Sequence, residues 1–419
     1  MKILINAYAC SPNMGSEPGM AWNWCVHLAK HCELHIITEG EFREKIKEVV
    51  PNLPQGKNMH FYFNPVTDDI RRMCWNQGDW RFYKYYREWQ WKTYLMAKEI
   101  CLKENIDILH QLNMIGFREP GYLWKLSEET GSPFVWGPIG GLKHFPLRYA
   151  DGGGWKMRAF MWLKNRINVW QLKYDKRVEA AMKQASLLIS SIPDSYYAIK
   201  KYKGLESVII PETGCFDTDS KVSAPVRFEK DDIRIVWVGK FDYRKRLDIA
   251  LKAVAKCGNS HIKISVYGTG TEAQVSAYKR LSADLGVEKQ VNWMGALPND
   301  QVREAMSESA LFLFTSVSED TSTVVLEAVS CGLPVVCFDA CGMRYVINDS
   351  VGMKIKMSNP NQSVCDFAET INYLYTNRCR LKEMSKNCMK RRKELSWDSK
   401  AVKYMDLIRS ITPPPPMGK

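Results

Sequence analysis

The stretch from Leu311 to Phe338, LFLFTSVSEDTSTVVLEAVSCGLPVVCF, constrains this chain more than any other. Leu311 to Thr315 is a short apolar run of the kind buried in a parallel sheet. Ser316 to Thr323 is polar, with hydroxyls suited to a helix N-cap, and Thr323 to Cys331 carries helical periodicity. Gly332 fits a helix stop, and Pro334 leads into a second apolar run. Strand, loop, helix, turn and strand in this order make a βαβ unit and set the class as α/β. A loop that feeds a helix N-terminus from the carboxyl end of a strand is where open α/β sheets bind anions and nucleotides.

The same grammar recurs along the chain. Lys2 to Ala9 reads as a strand, Ser11 to Gly19 as a Gly/Pro/Ser turn, Met20 to His31 as a helix and Leu34 to Thr38 as a strand. Further strands are expected at Ile106–His110, Leu187–Ser190 and Ser207–Ile210, with Pro133–Gly141 a strand running into a glycine-rich loop and a helix over Asp194–Lys203. A second series follows: strands Ile233–Val238, Ile262–Tyr267 and Val291–Met294, with helices Leu247–Lys256, Gln274–Leu285 and Gln301–Ser307. With 419 residues the chain can hold two Rossmann-like domains, each with its own core. Asp217 to Asp232, charged and broken by Pro225, reads as the linker, giving domains 1–216 and 217–395. LSWDSKAVKYMDLIRS predicts an amphipathic helix ending at Ser410, and the polyproline end, 411–419, is expected to be disordered.

Several residues carry chemistry. Glu319 in the loop and Glu327 on the helix are spaced Glu-x7-Glu, and a carboxylate can accept two hydrogen bonds from a sugar diol. Asp320, Thr321, Ser322 and Thr323 between them offer N–H groups and hydroxyls to a phosphate. Gly239 ends a strand and allows close approach, and Lys240 and Lys245 follow with two cations. Fixed cations stabilise negative charge as it develops on a leaving diphosphate. Gly268 and Gly270 form another glycine turn after a strand. In the first half, Gly15, Ser16, Glu17 and Gly19 make either a ligand-facing loop or simply a tight turn. His110, at a strand end with Arg118 soon after, is either a sugar contact or a structural histidine, and Gly140 and Gly141 close a WGPIGG loop. His27, His31 and His35 recur every four residues, but His35 falls in the following strand, so no metal site is expected.

SEDTSTVVLEAVSCGLPVV resembles the Glu-x7-Glu signature of the family-four retaining glycosyltransferases, which have the GT-B fold of two Rossmann-like domains facing across a cleft. The resemblance is dense from about Val236 to Phe338 and looser over the first domain, which carries acceptor choice. It implies that Glu327 holds the ribose of a nucleotide-sugar and Glu319 contacts the donor sugar, with the diphosphate on the loop between them. It also implies a basic pair at Lys240 and Lys245, a sugar-contacting histidine at His110, and a terminal helix crossing back to the first domain. One departure is Lys240, where the family usually has Arg; a lysine binds phosphate as a point charge without a bidentate fork. Retention of configuration rests on the resemblance alone.

The net charge of +13 points to a polyanionic partner. Two basic, aromatic stretches, Arg71 to Lys92 and Trp155 to Lys173, suit an anionic membrane surface, an acceptor, or single-stranded nucleic acid, or else only pack. Thirteen cysteines without paired spacing fit neither a zinc module nor a disulfide framework and suit a reducing cytoplasm. No stretch approaches the ~20 apolar residues of a membrane span, and MKILINAYAC reads as a strand. The expectation is a cytoplasmic transferase, peripheral on the inner face of the membrane. It uses a nucleotide-sugar and a saccharide or lipid-linked acceptor, with no cofactor, no metal and no nucleic acid. The rivals are a nucleotide-sugar epimerase on the same fold and a non-catalytic basic protein binding nucleic acid or membrane.

Overall fold

The computed structural model describes residues 1–76, 79–216 and 228–412. Most of the expected linker, 217–227, and most of the polyproline end, 413–419, lie outside the described residues. Contacts divide the chain into two units. Unit 1 comprises Met1–Leu142, Ile167–Glu212 and the stretch from Trp397; unit 2 comprises Lys143–Arg166 and Thr213–Ser396.

Unit 1 is built on seven parallel strands: β1 (Lys2–Ala7), β2 (Glu33–Thr38), β3 (Met59–Phe63), β4 (Ile108–Asn113), β5 (Phe134–Ile139), β6 (Leu187–Ser190) and β7 (Val208–Ile209). Their order in the sheet is β3-β2-β1-β4-β5-β6-β7. Unit 2 has six parallel strands: β8 (Ile233–Val238), β9 (Ile262–Tyr267), β10 (Val291–Gly295), β11 (Leu311–Phe314), β12 (Val335–Phe338) and β13 (Gly352–Ile355), in the order β10-β9-β8-β11-β12-β13. Each sheet therefore grows outward from its first strand and reverses between β1 and β4, and between β8 and β11. Ligands of open α/β sheets bind at the carboxyl ends of the strands flanking such a reversal.

Burial explains the strand sequences. β4, β5, β11 and β12 are buried along their whole length, as strands covered on both faces must be; β11 and β12 therefore read as continuous apolar runs, while β4 buries His110, Gln111 and Asn113 as well. The terminal helix, Trp397–Ile411, buries Trp397, Ala401, Tyr404, Met405 and Ile408 in the core that Ile3, Ile5, Trp24 and Leu28 also form. These positions recur at three- and four-residue steps, the period of a helical stripe.

The first turn departs from expectation. The opening helix runs Ser16–Leu28, with Gly15 as its N-cap, so Ser16, Glu17 and Gly19 belong to its first turn and His31 lies beyond its end. Gly19 is required there, because a Cβ would lie 1.8 Å from the carbonyl oxygen of Met14. All thirteen cysteines are free, with Cys25, Cys331 and Cys337 buried. Among the described residues no helix is long and apolar enough to cross a membrane.

Candidate functional site

In unit 2 the chemistry gathers at the carboxyl ends of β8 and β11, the strands flanking the reversal. The loops leaving them are stitched together. Val317 donates its N–H to Arg244 O at 2.8 Å, and the Thr315 hydroxyl donates to Lys245 O at 2.8 Å while accepting from Trp237 Nε1 at 3.0 Å. Asp242 caps its own turn, accepting the N–H groups of Arg244 and Lys245 at 2.8 and 3.1 Å. This scaffold aims Lys245 at Glu319: Nζ lies 2.8 Å from Oε1, which also accepts from the Ser316 hydroxyl at 3.1 Å. The same ammonium lies 5.4 Å from the centre of the Phe314 ring. Lys240 is exposed and makes no ion pair among the described residues.

The glycines just past the ends of β8 and β9 are there for contact. A Cβ on Gly268 would lie 1.9 Å from Gly239 O, and one on Gly270 would meet the Phe241 Cβ at 2.9 Å. Side chains at either position would push apart the two turns that line the site floor, turns joined by the Phe241 N–H to Thr269 O bond of 3.0 Å.

Beyond Glu319 the loop enters the helix Thr323–Ser330 through Ser322, with Thr321 and Ser322 buried and Thr323 exposed. Glu327, one turn in, accepts from Asn299 Nδ2 at 3.0 Å. Asp320 is paired with Lys143 at 2.7 Å. Asn299 and Lys143 escape sequence reading because each is polar, unremarkable in spacing and far along the chain from its partner. The resemblance pattern carries no mark for them.

In unit 1 the loops after β1 and β4 occupy the equivalent place. Asn113 Nδ2 donates to Ala9 O at 2.8 Å, and the Ile115 N–H to Glu17 Oε1 at 3.4 Å. Ser16 and Glu17 line a pocket of about 220 Å³ together with Tyr8, Thr38, Glu39 and Trp75. Gly140 donates to Ile115 O at 2.7 Å, and Gly141 sits at φ +77°, beside Gly116 and Phe117.

One residue expected at a ligand is placed otherwise. His110 is fully buried, its Nε2 2.7 Å from Gly137 O and its Nδ1 3.0 Å from the Tyr404 hydroxyl, with the Tyr404 ring stacked on it. Burial pushes its pKa down to about 4, against the opposing pull of the Gly137 carbonyl. A neutral imidazole with both nitrogens engaged is a core residue, not a sugar contact. Arg118 donates Nε to Gln171 at 2.8 Å and a second nitrogen to Asn168.

Residues 219–394 match the family described as glycosyl transferases group 1. This stretch is a group 1 glycosyl transferase domain. It holds every donor-site residue expected from the sequence, from Gly239 to Glu327. The phosphatidylinositol N-acetylglucosaminyltransferase gpi3 subunit of Schizosaccharomyces pombe is 24% identical over 152 residues, 36% of this chain and 32% of that protein. A D-inositol 3-phosphate glycosyltransferase of Rhodococcus erythropolis is 25% identical over 201 residues, 46% of this chain and 44% of that protein. The chain thus spans less than half the length of these relatives. The crystal structure of Anabaena HepE in complex with UDP superposes with a TM-score of 0.64 at 14% identity, covering 98% of this chain and 100% of that one. At that identity the likeness is one of fold: two parallel-sheet Rossmann-like domains, the GT-B architecture that accompanies the transferase domain.

Proposed function

We propose that this chain is a retaining, metal-independent glycosyltransferase that moves a sugar from a UDP- or GDP-type nucleotide-sugar to a saccharide acceptor in surface polysaccharide or glycan biosynthesis. The observation that carries the reading is the Lys245–Glu319 pair of 2.8 Å at the sheet reversal of the transferase domain. Breaking the bond between an anomeric carbon and a diphosphate oxygen leaves the electron pair, and negative charge, on the phosphate. Lys245 and Lys240 neutralise that charge, and the N–H groups at the start of Thr323–Ser330 add the positive end of a helix dipole. Glu327, steadied by Asn299, takes the ribose diol, and Glu319 the donor sugar. The unit 1 pocket beside Ser16 and Glu17 takes the acceptor.

The acceptor is lipid-linked and reached at the inner face of a membrane. Support comes from the phosphatidylinositol named in one relative and from the exposed Trp155, Phe160 and Trp162 interleaved with Lys156 and Arg158.

Thermal unfolding against a panel of nucleoside diphosphates and nucleotide-sugars tests the donor site. A ligand at 100 times its Kd adds ~2.7 kcal/mol, a shift of several degrees. One base should produce the shift with and without EDTA. The shift should vanish in Glu327→Ala and weaken in Lys245→Met. No shift with any nucleotide sinks the reading. Conversion of the bound nucleotide-sugar without acceptor would replace it with an epimerase.

A further inference from the structure

The first sheet carries a second constellation, far from the strand ends that bind substrates. β2 and β3 pair in parallel with His35 opposite His60. Glu33 precedes His35 by two residues and Tyr62 follows His60 by two, so all four project from one face of the sheet. The Nε2 atoms of His35 and His60 lie 3.3 and 3.2 Å from one oxygen of Glu33, and all three atoms fall within 4.8 Å of one another. From these positions we propose that Glu33, His35 and His60 form a structural binding site for a zinc-class divalent cation.

The spacing is that of a coordination shell. Zinc holds nitrogen and oxygen ligands at about 2.0–2.1 Å in a tetrahedron, which puts neighbouring ligand atoms ~3.3 Å apart. His35 Nε2 is buried and makes no hydrogen bond, because its approach to Glu33 lacks hydrogen-bond geometry. Its other nitrogen, Nδ1, is 3.1 Å from the Tyr62 hydroxyl, whose ring stacks on the imidazole. A proton held at Nδ1 leaves the Nε2 lone pair directed at the cluster, the outer-shell arrangement that orients a metal-bound histidine. Two imidazoles and one carboxylate favour zinc, and also cobalt or nickel, over calcium or magnesium. Lys2 Nζ also approaches Glu33, at 3.5 Å, but it is held more closely by Glu104 at 2.5 Å, so the carboxylate can turn to an ion without stranding that cation.

The place in the fold assigns the role. Glu33 opens β2 and His60 is the second residue of β3, so the cluster sits at the amino ends of these strands, opposite the substrate-binding ends. β3 is the edge of the sheet, held by hydrogen bonds on one side only. An ion shared by β2 and β3 staples that edge and takes no part in sugar transfer. His60 is exposed and Glu33 partly so, which gives the ion its entry path and a water its fourth position.

Equilibrium dialysis of the tag-free full chain against zinc, with cobalt as an optical probe, tests the site. One ion per chain should bind, the cobalt form should show the strong visible bands of tetrahedral coordination, and zinc should raise the melting temperature. His60→Ala should remove all three effects while leaving the metal-free melting temperature near that of the wild type. Tyr62→Phe should weaken binding by about ten- to a hundredfold. EDTA should then lower the melting temperature of nucleotide-free and nucleotide-bound protein alike. Failure to take up zinc, or uptake unchanged in His60→Ala, overturns the proposal.

Discussion

Two stretches of this chain have almost the same composition but only one of them buries aromatic rings in a core cluster. Arg71–Lys92 and Trp155–Lys173 both interleave tryptophan, tyrosine or phenylalanine with arginine and lysine. In the first, Phe82, Tyr86 and Trp89 turn inward and pack edge-on around Tyr8, with ring centres 4.9–5.7 Å away. All four of its arginines are ion-paired: Arg71 to Glu39, Arg72 to Asp69, Arg81 to Asp79 and Arg87 to Glu119. In the second, Trp155, Phe160, Trp162 and Trp170 stay in water, and Arg158 and Arg166 make no ion pair among the described residues. Composition sets what a helix can do. Arg71 and Arg87 meet acids on other elements, at Glu39 and Glu119, where Arg158 and Arg166 meet none among the described residues.

The sharpest test of that contrast is at Trp89, 2% exposed against 76% for Trp155. Trp89 also donates Nε1 to Asn64 O at 2.7 Å. Trp89→Ala should cost about 3–5 kcal/mol of stability, from the cavity left behind and the stranded carbonyl. Trp155→Ala should cost almost nothing. Urea unfolding of the two variants compares them directly, and equal losses would erase the distinction.

The next effect reverses the roles of the two stretches. Trp155 and Trp162 are seven residues apart and share a helix face, with Arg166 over the Trp162 ring at 5.4 Å. If these rings enter a lipid headgroup layer, each contributes about 1 kcal/mol or more as its surface leaves water. Replacing Trp155, Phe160 and Trp162 together by Ser should then weaken binding to anionic vesicles on the order of a hundredfold, with folding intact. Vesicle sedimentation reads this. Replacing the exposed Trp75 and Trp80 of the first stretch is the control, and equal losses there would move the anchor.

What could be read from the sequence follows the same division between local and distant causes. β8 and β9 lie where the apolar runs place them, because a buried parallel strand needs no partner to be recognised. β3, MHFYF, was not legible as a strand: it is an edge with polar alternation and no β-branched residue. The helices Pro360–Thr376 and Arg378–Glu394 are not legible in the sequence either, the second because its charge hides the narrow stripe of Leu381, Met384, Ser385 and Cys388. At the site, Glu319 and Glu327 announce themselves by spacing. That Lys245 reaches Glu319 depends on β8 lying beside β11, and that His35 meets His60 depends on register. His110 reads as a ligand from its place at a strand end, and its partners, Gly137 O and the Tyr404 hydroxyl from the far end of the chain, make it a core residue instead.

The smallest expected effect concerns charge. A cation near an anionic lipid surface contributes about 1 kcal/mol, and only within a Debye length of ~10 Å at 0.1 M salt. Arg158→Gln with Arg166→Gln should therefore lower vesicle binding by about thirtyfold at low salt, and the gap to wild type should close as salt rises. The triple ring variant should instead keep its deficit at every salt concentration, since apolar burial is not screened. Arg71→Gln offers the opposing case. Its guanidinium is spent on the buried Glu39 at 2.8 Å, so its loss should appear in stability and leave vesicle binding where it was. If Arg71→Gln weakens vesicle binding as much as the Arg158 and Arg166 pair does, then pairing with an acid does not withdraw an arginine from the lipid. The two stretches would then differ only in their rings.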